Sequence, residues 1–255
     1  MAQIFSRGTV NHVGQPAQLD LAEPMRIGLI SDVHGNSVAL KAVLAELLPE
    51  ADQIIFLGDL CGYYPFVNEC VDLWRQDRIV GIRGNHDQVL LDCLRSGVQP
   101  DGEYQRRYGS ALGRTLRDLS SLAKALLQSL PVSRTLTVGG TDLSLFHGAP
   151  WDPLEGRVYP DYDAWDRFAD VSGDVVLLGH THYPFVKRCH GKLIVNPGSV
   201  GQARDHRGGA SFAILDLTSG EVQHRHLSFD PQRLVEDAQR HDPSLPYLVE
   251  VLVRR

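Results

Sequence analysis

Metal-capable side chains recur directly behind short apolar runs at five places in this chain. RIGLIS (26–31) runs into Asp32-Val33-His34-Gly35-Asn36, QIIFLG (53–58) into Asp59, and RIVGIRG (78–84) into Asn85-His86-Asp87. TDLSLF runs into His147, and DVVLLG into His180-Thr181-His182. Side chains two residues apart in extended backbone point the same way, so Asp32 and His34 can share a metal ion, and so can His180 and His182. One such triplet alone is more often a turn or a satisfied buried histidine than a ligand set. Five together, at strand ends that a sheet gathers on one rim, are beyond coincidence. Carboxylate, amide and imidazole donors without thiolate favour Mn, Fe, Zn, Co or Ni over a structural thiolate zinc site. Two Asp with five His or Asn exceed the needs of one ion, so two divalent metal ions are expected, with Mn the first candidate.

The elements that must position these groups show as alternating runs. RIGLIS, QIIFLG and RIVGIRG are short, mostly apolar and strand-like. SVALKAVLAELLP (37–49) repeats apolar residues at helical spacing, with Asn36 or Ser37 as cap and Pro49 as stop, and NECVDLWRQD (68–77) reads as a second helix. This rhythm is that of a sheet with helical crossovers. Residues 88–130 are helical by composition and read as an inserted helical cap. Beyond Pro131 come hairpins at Gly139-Gly140, His190-Gly191 and Thr218-Ser219-Gly220, a buried strand at 174–180, and a terminal helix at 231–240. The expected architecture is α/β: two sheets with helices outside, one domain over 25–255 that carries the cap. Residues 1–24 lack periodicity and read as an N-terminal extension.

A chain of 255 residues, 43% hydrophobic and 22% charged, buries a sizeable core, which excludes wholesale disorder. A net charge of −6 without a basic tract argues against long nucleic acid as a partner. No apolar run approaches the roughly 20 residues of a membrane span, and the first residues have no apolar signal core. A cytoplasmic location without membrane contact is expected. The four cysteines, Cys61, Cys70, Cys93 and Cys189, form no CxxC pair and read as free thiols. Of eleven histidines, His12, His190, His224, His226 and His241 have no matching partner motif and are expected to be structural or exposed.

In order along the chain, DVHGN (32–36), GD (58–59), GNHD (84–87), GAP after His147, GHTH (179–182) and NPGSVGQ (196–202) resemble the calcineurin-like metallophosphoesterases, in particular their small bacterial and archaeal phosphodiesterase-like members. The resemblance implies a four-layer α-β-β-α sandwich of two mixed β-sheets. It implies one metal held by Asp32, His34, Asp59 and His182, and a second held by Asp59, Asn85, His147 and His180, with Asp59 bridging. His86 matches the family's non-ligand histidine beside the phosphate, and Asp87 would orient it. The implied activity is hydrolysis of small phosphate esters, phosphodiesters preferred, by a metal-bridging hydroxide with His86 as proton donor. A phosphomonoesterase, or a nucleotide or dinucleoside-polyphosphate hydrolase, is the alternative. A non-catalytic scaffold on the same fold is disfavoured, since none of the seven proposed ligands is replaced. The phosphoprotein-phosphatase branch carries an Asp-Arg pair after its GD; here Gly62 and Tyr63 stand instead, which disfavours a dedicated protein phosphatase. Expected substrate contacts are Asn36, Asn85, Arg204, His206 and Arg207, with Tyr104, Arg106, Arg107 and Tyr108 of the cap and Tyr63 and Tyr64 as further candidates.

Overall fold

The computed structural model describes residues 26–74 and 78–254, so the expected extension 1–24 lies outside the described residues. Alternation along the first strand sets the layering. In β1 (Arg26–Ile30), Ile27 and Leu29 face one core while Ile30 faces another, as the two-residue period of a strand requires. β2 (Gln53–Phe56) is buried throughout and pairs in parallel with β1, Ile27 opposite Gln53 and Ile30 opposite Phe56. β3 (Ile79–Gly81) continues the parallel pairing beyond β2. The connection between β1 and β2 is α1 (Ser37–Leu47), whose buried stripe Leu40, Val43, Leu44 and Leu47 lies on the sheet. It approaches so closely at Gly28 that an added Cβ would stand 3.1 Å from Leu47. α2 (Val67–Asp72) is shorter than the expected 68–77, and 75–77 lie outside the described residues.

The chain then runs through α3 (Asn85–Ser96), α4 (Gly102–Tyr108), α5 (Ala111–Asp118) and α6 (Ser121–Ser129). α3 begins three residues ahead of the expected cap boundary, so GNHD opens a helix. Leu90, Leu112, Ala123 and Leu127 enter the same core as α1. Most of the segment read as a cap is therefore the outer helical layer of the first sheet, and only α4 buries no residue.

The second sheet follows: β4 (Ser133–Val138), β5 (Thr141–Phe146), β6 (Val175–Leu177), β7 (Phe185–Cys189) and β8 (Lys192–Asn196). β9 (Ala210–Asp216) and β10 (Glu221–Leu227) return to the first sheet. The strand orders are β10-β9-β1-β2-β3 and β4-β5-β6-β8-β7, both mixed. The sheets pack face to face over a shared core in which Ile27, Leu29, Ile55 and Leu57 meet Leu143, Leu145, Leu177 and Val195. All three expected hairpins are present. The outer face of the second sheet is covered by one 3₁₀ turn at Trp165–Phe168 and its aromatic neighbours. α7 (Gln232–His241) matches the expected terminal helix, and a further helix, α8 (Tyr247–Val253), packs with it on Tyr63, Tyr64 and Tyr108. Among the described residues no helix is long and apolar enough to cross a membrane, and the four cysteines are free thiols.

Candidate metal centre

The seven proposed ligands meet where the loops after β1, β2, β3, β5 and β6 converge. The extended-backbone argument for Asp32 with His34 and His180 with His182 is corrected here: all four, and Asp59, sit in the left-handed region, with φ between 51° and 65°. Their side chains converge because these loops turn, and because the loop after β1 stays hydrogen-bonded to the loop after β2. Asp32, His34 and Gly35 donate their amides to the carbonyls of Gly58, Asp59 and Leu60 at 2.9, 2.9 and 2.7 Å. Gly84 permits a close approach, since a Cβ there would collide with the Asp59 carboxylate.

Two groups of donors result. In the first, His182 Nε2 lies 3.1 Å from Asp32 Oδ1 and 3.0 Å from His34 Nε2. In the second, His147 Nε2 lies 3.3 Å from Asp59 Oδ2 and 3.1 Å from Asn85 Oδ1, which in turn lies 3.1 Å from His180 Nδ1. Asp59 Oδ2 is also 3.9 Å from His34 Nε2, so this carboxylate faces both groups. The rings are held from behind. Nδ1 of His34, His147 and His182 is paired with the carbonyls of Cys61, Leu57 and Gln202 at 2.9, 2.7 and 2.8 Å. A neutral ring that donates from Nδ1 turns its Nε2 lone pair inward, so the lone pairs of His34 and His182 face each other. Asp32 takes Ser31 Oγ and the His180 amide on Oδ2, and its buried Oδ1 has no hydrogen-bond partner among the described residues. Converging lone pairs and an orphaned carboxylate oxygen are what divalent cations satisfy.

The electrostatics divide the donors. Burial pushes Asp32 and Asp59 up, but His182 beside Asp32 and His147 beside Asp59 outweigh it and hold both carboxyls well below their ordinary value. Burial holds His180 down to about 3 and His182 to about 4, although the nearby carboxylates oppose it. His147 goes the other way: burial lowers it, but Asp59 and then Asp32 raise it to about 10.

The remaining predicted residues divide. His86 lies in the cleft above the donors; burial, against the pull of Asp59, holds it neutral with a pKa of about 3. Its ring is oriented by Tyr104, whose hydroxyl is hydrogen-bonded to Nδ1, and not by Asp87. Asp87 is corrected to a loop anchor. Its carboxylate accepts the amides of Asp59, Cys61 and Gly84 at 2.9, 2.9 and 3.0 Å, so it ties the first turn of α3 to the loop after β2. Asn36 is corrected likewise: fully buried and not part of the cleft lining, it caps α1 through Ala39 N at 2.9 Å and donates to Gly201 O at 3.1 Å, a bracing role. Arg204 lines the cleft, but His206 and Arg207 are exposed and lie outside it. NPGSVGQ serves as a brace, with Asn196 Nδ2 donating to Gly179 O at 2.7 Å and Ser199 Oγ to Asp32 O at 2.8 Å.

The cleft has a volume of about 390 Å³. Arg107 and Tyr108 of α4 line it as anticipated, whereas Arg106 is exposed and does not. Tyr63 lines it, and Tyr64 packs beneath with its hydroxyl on Leu248 O at 2.9 Å. Three wall residues had escaped the sequence reading: Arg157 and Tyr159 from the loop after β5, and Tyr247 from α8. Their only sequence signal is the same interleaving of cations and rings that marks EYQRRY (103–108).

The profile of the calcineurin-like phosphoesterase superfamily domain matches residues 25–220. An uncharacterized protein of Methanocaldococcus jannaschii is 31% identical over 230 residues, covering 82% of this chain and 90% of that protein. The crystal structure of a metallophosphoesterase from Sphaerobacter thermophilus matches with a TM-score of 0.74 at 30% identity, over 90% of this chain and 98% of that one. A hypothetical protein from Pyrococcus horikoshii OT3 shares the fold with the same TM-score and coverage at 19% identity. With the motifs in order and the sheets and donor clusters in place, this chain belongs to the calcineurin-like phosphoesterase superfamily. Membership and the donor chemistry together point to a hydrolase of phosphoric esters that binds divalent metal.

Proposed function

We propose that the chain is a two-metal phosphoesterase of small phosphate esters, with phosphodiesters preferred. The observation that carries this is the convergence of Asp32, His34 and His182 in one group and of Asp59, His147 and His180, with Asn85, in a second, Asp59 also lying near His34 and each imidazole of the first group braced from behind by a carbonyl. Asp32, His34, Asp59 and His182 would hold one ion; Asp59, Asn85, His147 and His180 the other. Divalent cations held there would supply an activated water and neutralise charge on the phosphoryl oxygens. Asn85 turns its carbonyl oxygen to His147 and His180, which leaves its amide hydrogens for a phosphoryl oxygen. With Tyr104 donating to Nδ1 of His86, the ring proton sits on Nε2, from which the neutral ring donates a hydrogen bond to the departing oxygen instead of handing it a proton, which would leave an imidazolate. Cys61 is no nucleophile: burial, with Asp87 beside it, pushes its thiol well above the ordinary value.

Bis(4-nitrophenyl) phosphate assayed with Mn²⁺, Fe²⁺, Zn²⁺, Co²⁺ or Ni²⁺ tests the proposal. Turnover that exceeds that of 4-nitrophenyl phosphate is expected; no turnover by folded protein with any of the ions would contradict it.

A further inference from the structure

The short helix α4 carries two of the groups that surround His86. The Tyr104 hydroxyl is bonded to Nδ1 of that ring, and the Tyr108 ring packs edge-on to it at 4.7 Å. Four residues apart, the two tyrosines share one face of the helix. The helix cannot hold that face in place by itself. An isolated helix in water needs about 12–15 residues to be even marginally stable, whereas α4 has seven, none of them buried. Its N-terminal end is closed locally, Asp101 Oδ1 accepting the Tyr104 amide at 2.7 Å, which caps the helix without fixing it to the sheets.

The other end is held from outside, by the C-terminal helices. Arg107 O is one of the last carbonyls of α4, which lack a partner within the helix, and it accepts the Tyr247 hydroxyl at 2.6 Å. Just past the helix, Asp242 Oδ1 and Oδ2 accept the amide and the hydroxyl of Ser110 at 2.7 and 2.9 Å. Gly109, with φ of 86°, brings the chain so near that an added Cβ would stand 3.2 Å from the Asp242 carboxylate. Both holders are rooted in packed structure. Asp242 ends α7, its amide donating to Ala238 O at 2.8 Å, and Tyr247 opens α8. Leu234, Ala238, Leu248 and Val251 of these helices are buried in one cluster with Tyr63 and Tyr64. α7 and α8 follow the residues, 25–220, that the family profile matches, so the hold on α4 comes from outside that segment.

Resting on the phosphoesterase reading, we propose that Asp242 and Tyr247 are positioning residues for the reaction: they clasp the end of α4 and thereby set Tyr104 against His86. Without the clasp, the Tyr104 hydroxyl drifts from Nδ1, and the Nε2 hydrogen of His86 is no longer aimed at the departing oxygen. A displaced donor costs rate before it costs binding. The metal donors hang from other elements, so they stay in place.

The test compares Tyr247→Phe, Asp242→Ala and Asp242→Asn, each alone and combined with Tyr104→Phe, with the unaltered full chain. All are loaded with Mn²⁺ and measured by kcat and KM on bis(4-nitrophenyl) phosphate, by metal content, and by amide hydrogen exchange over residues 102–109. Tyr247→Phe and Asp242→Ala should each lower kcat about threefold, with a smaller change in KM and none in metal content, and α4 should exchange about fivefold faster, the scale of one lost hydrogen bond. Asp242→Asn keeps an acceptor for the Ser110 amide and should recover most of both. In the Tyr104→Phe background none of the three should lower kcat further, because they act through that hydroxyl. Arg233→Ala, which breaks a half-exposed ion pair between α7 and Glu69, controls for lost stability and should leave kcat and α4 exchange unchanged. Unchanged kcat in Tyr247→Phe and Asp242→Ala, an equal loss in Arg233→Ala, or a full further loss in the Tyr104→Phe background would overturn the inference and leave the phosphoesterase reading standing. Failure of the folded, metal-loaded unaltered chain to hydrolyse the diester would overturn both.

Discussion

Nδ1 of His34, His147 and His182 is committed to main-chain carbonyls, so each ring has one donor atom left and it faces inward. Five of the donors also hold a left-handed backbone that non-glycine residues avoid, at about 1–3 kcal/mol each. Metal coordination is what such strained positions would serve. Asp59 and His86 should therefore differ in kind. Asp59→Asn is expected to lose metal and activity together, whereas His86→Ala should keep its metal and lose about 10²- to 10⁴-fold in rate, measured by metal analysis beside kcat. Tyr104→Phe removes the hydrogen bond to the His86 ring and should cost about 3- to 10-fold in kcat at unchanged metal content. In the His86→Ala background the same change should cost nothing further, because the two residues act as one unit. Residue types and their spacing were legible because they are covalent facts. What each side chain touches was not: Asp87 is one residue from His86 in sequence, yet its carboxylate serves three amides instead.

At the scale of elements, α3 does two tasks. Its first turn supplies Asn85 and His86 to the site, and Asp87, as its third residue, closes a capping arrangement with Gly84 while it reaches across to the loop after β2. Asp87→Ala strands three buried amides, and a loss of at least about 3 kcal/mol in urea denaturation is expected, with a smaller loss for Asp87→Asn, which keeps one acceptor oxygen. Strands and hairpins could be anticipated because their two-residue alternation and glycine turns are local. The cleft wall could not. Tyr247 reaches it through a bond to Arg107, 140 residues away, and α8 has no cap signal to announce it. Much of the expected cap became a core layer for a related reason: amphipathic spacing marks a buried face without saying which sheet buries it.

For the molecule as a whole, the site lies on the seam between its halves. Asp32, His34, Asp59 and Asn85 hang from the first sheet, while His147, His180 and His182 hang from the second. Bound ions would cross-link the two sheets, so removal of metal with a chelator should lower Tm, and calorimetry across a Mn²⁺ titration should show it rising again. A free ion at 100 times its Kd adds about 2.7 kcal/mol; a Tm independent of metal would count against the seam. Net charge reads differently at this scale too. The chain carries −6 overall, yet Arg107, Arg157 and Arg204 gather at the one cleft that holds the donors, so a small anion meets a cationic mouth on an acidic body. The most direct test of the central claim is an anomalous difference map, at the metal edge, from crystals of Mn²⁺-loaded protein. Two peaks are predicted, one among Asp32, His34, Asp59 and His182 and one among Asp59, Asn85, His147 and His180. A single peak, or peaks away from Asp59, would contradict the two-metal centre.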